Sequence, residues 1–86
     1  MEETRVALIG IVVANRSHVA ELNAILQEYG EYIIGRMGLP YKKRGVSIIS
    51  IALDAPQDVI STLSGKLGML TDISVKTIYA KMPEGE

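Results

Sequence analysis

Four consecutive polar residues, Asn15, Arg16, Ser17 and His18, follow an apolar run, Val6 to Val13, that contains no polar side chain. Their chemistry would be anion binding. Arg16 is a permanent cation whose guanidinium can grip a carboxylate in two places. If a helix starts at this point, the backbone N–H groups of its first turn lack intrahelical partners and favour negative charge. Asn15-Arg16-Ser17 therefore reads as a receptor for a carboxylate or a phosphate. It reads equally well as an ordinary helix start, with Ser17 as the N-cap. His18 could adjust such a grip with pH, because an imidazole gains charge near its usual value of about 6.5. Arg36 is a second candidate clamp, facing a neighbouring subunit if the strand that carries it reaches an interface.

Other chemistries find less support. His18 is the single histidine and there is no cysteine, whereas a metal site needs several convergent ligands. Only a symmetric assembly that gathers several copies of His18 would supply them; otherwise His18 is an exposed first-turn residue. Ser64-Gly65-Lys66 lacks the upstream glycine of a phosphate loop, and Lys66 falls near a helix end, where a cation suits the partial negative charge. Gly65 inside a helix costs about 1 kcal/mol relative to Ala, which suggests close packing against a neighbour. Lys42-Lys43-Arg44 could hold an acidic partner, but such runs are usually solvated hairpin tips. No Ser has a local His and carboxylate in a recognisable motif, and Asp54, Asp58 and Asp72 sit at turns and helix starts, where Asp is expected. An Arg-plus-Asn phosphatase arrangement from Arg16 and Asn23 has nothing to suggest convergence. The residues predict no enzyme and no cofactor.

These residues sit in a chain of 86, room for one domain with a thin core. Hydrophobic residues make up 48%, and mean hydropathy is +0.22. That is rich for a small monomer and points to apolar surface that a partner covers. A net charge of −1 and a pI near 5.8 give no reason to expect nucleic-acid binding by the chain alone. No apolar run approaches the roughly 20 residues of a membrane span. The acidic start, Met1-Glu2-Glu3-Thr4, lacks a signal peptide's basic region. The expected location is the cytoplasm.

The pattern predicts six elements. Val6–Val13 is a strand apolar on both faces. Val19, Leu22, Leu26 and Tyr29, flanked by Ile25, recur at helical spacing, with Gly30 as a left-handed stop. Tyr32 to Leu39 is a second strand, with Gly35 and Gly38 as bulge or close-approach points, ended by Pro40. Val46 to Leu53 is a third strand. Pro56 opens a second helix with Val59, Ile60, Leu63 and Leu67 inward and Gly68 as its stop. Asp72 to Lys81 is a fourth strand with Ile73, Val75, Thr77 and Tyr79 on one face, and 82–86 is a polar tail. The ordered core is about 5–81 of a single domain spanning 1–86.

The order β-α-β-β-α-β implies an α+β, ferredoxin-like sandwich: a four-stranded antiparallel sheet with two helices on one face. The first and third strands, the most apolar, belong in the centre. With both helices on one side, the other face of those strands has nothing to cover it. A second subunit is the simplest cover.

The opening strand, Gly38-Leu39-Pro40, Leu63-Ser64-Gly65-Lys66-Leu67-Gly68 and Val75-Lys76-Thr77 together carry a resemblance. From Val6 to about Lys81 the chain resembles the family of iron-only hydrogenase system regulators. That family is ACT-like, akin to the ligand-binding portion of nickel-responsive repressors. The resemblance implies a homo-oligomeric regulatory or effector-binding domain that could also act through a protein partner. The small anionic metabolite is what Asn15 to His18 and Arg36 suggest as its ligand. The chain departs from amino-acid-binding ACT domains at Asn15-Arg16-Ser17-His18-Val19, where His18 replaces the glycine that lets an effector approach the backbone. The alternative is a metal-sensing module built on His18 from several subunits.

Overall fold

The computed structural model describes residues 3–14 and 18–81. Strand β1 spans Arg5–Val13, helix α1 Val19–Glu28, β2 Ile33–Tyr41, β3 Val46–Ala55, α2 Gln57–Gly68 and β4 Ile73–Tyr79. The four strands form one antiparallel sheet in the order β2-β3-β1-β4. The two most apolar strands are indeed central, because only a central strand can bury an unbroken apolar sequence on at least one face without exposing a backbone edge.

One face of that sheet carries the core. Ala7, Ile9, Ile11 and Val13 of β1 align with Leu53, Ile51, Ile49 and Ser47 of β3 and with Tyr79, Thr77, Val75 and Ile73 of β4. Leu22 and Leu26 of α1 and Ile60, Leu63 and Leu67 of α2 close over them in a single buried cluster. Val19, Ile25, Tyr29 and Val59 pack at its margin. Both helices thus cover the same face, as the helical spacing of their apolar residues requires. A part-buried hydrogen bond between the Ser64 and Thr77 hydroxyls, 2.7 Å long, ties α2 to β4.

Several local expectations need correction. His18, not Ser17, occupies the N-cap position of α1, and its side chain makes no capping hydrogen bond; Ser17 lies outside the described residues. Gly30 is not left-handed, since Gly45 is the positive-φ glycine among those described. Instead α1 runs through Tyr29 into a short 3-10 turn, Gly30–Tyr32. Pro40 does not end β2 but lies within it, opposite Ser47. An edge strand has one side free of partners, so a missing N–H there is tolerated. Gly65 is exposed, and a Cβ built on it meets nothing within 4 Å, so it permits no close packing within this chain. Gly45, at φ 67°, closes the basic tip Lys42–Arg44, and Asp72 adopts φ 61° just before β4.

Candidate functional site

The site is built at the edge of the sheet where α1 crosses β2, and a bulge sets it up. Ile33 pairs with Leu53, yet Gly35 pairs with Ala52 and Arg36 with Ile51, so the register slips between Ile33 and Gly35. Side chains alternate strictly along a regular strand. Without the slip, Ile33 on the helix face would place Arg36 on the opposite one. The extra residue turns Arg36 onto the helix face, directly across from buried Ile51. There its Nη2 donates to Asn23 Oδ1 of α1 at 2.8 Å.

Beyond Arg36, the residues of β2 on the same face are Gly38 and Pro40, opposite Ile49 and Ser47. Neither fills space above the sheet, and a Cβ at Gly38 would meet nothing within 4 Å. A groove is left between α1 and β2, in two parts divided by the Arg36–Asn23 pair. The larger, about 410 Å³, is lined by Asn23, Leu26, Gln27, Gly30, Ile33 and Arg36. The smaller, about 250 Å³, runs past Val19, Gly38, Pro40 and Ile49. The walls are apolar and the polar groups are few, which is the composition of a small-molecule site.

Of the candidates named from sequence, His18 and Arg36 fall among the described residues. Asn15, Arg16 and Ser17 lie outside the described residues. His18 is half-buried at the start of α1, with Nδ1 3.2 Å from Glu21 Oε1, and lines neither part of the groove. Arg36 does line both parts, but it reaches α1 of its own chain. Asn23 was weighed only beside Arg16 and Gln27 was missed, although a signal for both existed. They are polar at i and i+4, beside the buried pair Leu22 and Leu26, and so share one edge of the helix. Among the described residues no group of three His, Cys, Asp or Glu side chains gathers in metal-binding fashion.

At the far end of the helix layer, Lys66 of α2 lies 3.6 Å from Glu28 Oε2 and over the Tyr29 ring. The Tyr29 side chain, and then the Glu28 carboxylate, raise its ammonium above the usual lysine range, against an opposing desolvation effect. The pair ties α2 to the end of α1, with both partners exposed, and its energetic contribution is small.

The second notable surface is the outer face of the sheet. Leu8, Val12, Met37, Leu39, Tyr41, Ile48 and Ile78 share it and are all exposed, from 40% for Val12 to 64% for Met37 and Ile78. Gly10, Ser50, Ala52, Ser74 and Lys76 also lie on it.

A family model matches residues 5–77: the TM1266-like family, provisionally described as iron-only hydrogenase system regulators. Among solved structures, that of the uncharacterized protein TM1266 from Thermotoga maritima superposes with a TM-score of 0.88. The two are 34% identical, over 92% of this chain and all of that one. No curated protein matches. No helix among the described residues is long and apolar enough to cross a membrane.

Proposed function

The chain belongs to the TM1266-like family, and from that premise we propose that it is a non-catalytic regulatory module that works as a homo-oligomer. The regulated process is that of an iron-only hydrogenase system, following the family description. The setting is the cytoplasm, and any transcriptional effect runs through a protein partner, since the acidic chain does not bind DNA alone.

The observation that carries this reading is the outer face of the sheet. Seven large apolar side chains are exposed there across four strands. At roughly 25 cal/mol per Å² of apolar surface removed from water, covering them would supply several kcal/mol. Monomers rarely leave such a patch open. A second copy of the same sheet is a self-complementary cover, as a two-fold interface requires. Lys76 also lies on this face, beside Gly10 on the neighbouring strand.

Sedimentation at micromolar concentration tests the reading. The expected result is a dimer or a larger closed assembly, which Leu8→Lys combined with Ile78→Lys converts to a folded monomer. A wild-type chain that sediments as a monomer overturns it.

A further inference from the structure

We propose that the α1–β2 groove binds a small monocarboxylate with a short aliphatic tail. The inference rests on the reading of the chain as a regulatory module and adds an effector to it by naming that effector's chemistry. Three observations lead to it. The bulge at Ile33/Gly35 costs the strand a regular ladder, and its effect is to turn one cation, Arg36, onto the helix face. Arg36 has no carboxylate partner among the described residues; its side-chain partner there is the neutral Asn23. Gly38 and Pro40 then keep the space beside it empty.

The Arg36–Asn23 hydrogen bond also orients the amide. With Oδ1 accepting from Arg36, the Nδ2 group of Asn23 is left as a donor beside the remaining guanidinium N–H groups. One carboxylate can accept from both, with its charge answered by Arg36. Gln27 borders the same space. A single guanidinium that already spends one donor on Asn23 suits one negative charge better than a phosphate's two. Leu26 and Ile33 wall the larger part of the groove and Val19 and Ile49 the smaller, so an aliphatic tail finds apolar surface on either side. A volume of about 410 Å³ limits the ligand to a small molecule. The competing explanation is edge protection, since bulges and inward-pointing charges also deter strand pairing.

Hexanoate and hexanamide separate the two, because they share size and tail and differ in charge. Titrations of the full chain are followed by amide chemical shifts and by calorimetry. Hexanoate should shift the signals of Asn23, Gln27, Arg36 and Gly38 saturably, and hexanamide should bind at least about tenfold more weakly. Arg36→Gln should weaken hexanoate by about tenfold or more while Arg36→Lys retains part of the affinity. If Arg36→Gln unfolds the chain, Asn23→Ala removes one of the two donors from the helix side and should weaken binding likewise. Equal binding of acid and amide overturns the proposal. So does wild-type affinity in Arg36→Gln, or no saturable shift up to about 10 mM hexanoate. Each of these leaves the sedimentation result untouched, so the site and the oligomeric module fail separately.

Discussion

At the scale of single residues, the least accounted-for position is Gly65. It lies inside α2, is exposed, and a Cβ there meets nothing within 4 Å. Gly65→Ala should therefore stabilise the chain by up to about 1 kcal/mol, through higher helix propensity and a less disordered unfolded state. Urea melts at low protein concentration check this. Destabilisation that appears only at high concentration would mean that the glycine admits another subunit. The sequence exposed the residue types of the candidate site but not their grouping. Arg36 stands out as a candidate clamp because a lone arginine amid apolar strand residues has few structural uses. Its partner does not, because the face on which Arg36 projects depends on one inserted residue in β2. A slip of one position reverses every side chain after it, and although Gly35 marks a candidate bulge, a glycine alone does not fix whether the extra residue is inserted there. Hence sequence alone offers Arg36 to a neighbouring subunit only if β2 reaches an interface, and gives no reason to pair it with Asn23.

At the scale of elements, order and type were readable and ends were not. The helical spacing of Leu22 and Leu26, and of Ile60, Leu63 and Leu67, is a periodic signal summed over several turns. The near-continuous apolar runs of β1 and β3 placed them at the centre of the sheet. A terminus instead hangs on one residue's conformation, and glycine permits many. Gly30 and Gly45 show the difference. Both follow a candidate element end, but only Gly45 adopts positive φ, at 67°. Gly45→Ala should cost about 1–2 kcal/mol, the penalty of a Cβ in the left-handed region. Gly30→Ala, with open space around it, should stay within about 0.5 kcal/mol of wild type. Thermal melts of the two variants side by side decide whether α1 ends as described. A large loss at Gly30 would restore the left-handed stop.

At the scale of the whole molecule, β1 looks alike on both faces in sequence but not in the fold. Ile9 is fully buried beneath the helices, whereas Leu8 is 42% exposed on the opposite face. A charge at Ile9 or Ile11 thus strikes the core, and the two faces can be tested independently. Ile9→Asp should unfold the chain outright, since an unpaired buried charge outweighs a marginal stability of about 5–15 kcal/mol at most. Leu8→Asp should leave the circular dichroism spectrum unchanged and abolish the rise of melting temperature with protein concentration that self-association produces. A folded Ile9→Asp chain would contradict the packing described. The placement of β1 has one more consequence, for the history of the chain rather than its final state. β1 is made first, yet its two neighbours are β3 and β4, which begin at Val46 and Ile73. At synthesis rates of about 5–20 residues per second, the most apolar stretch of the protein waits for seconds with neither of its ladders formed. Each nascent copy is thus most adhesive while it is least complete, so crowded polysomes are where this chain meets its greatest risk of aggregation, and where chaperone capture of the β1 segment has the most to protect.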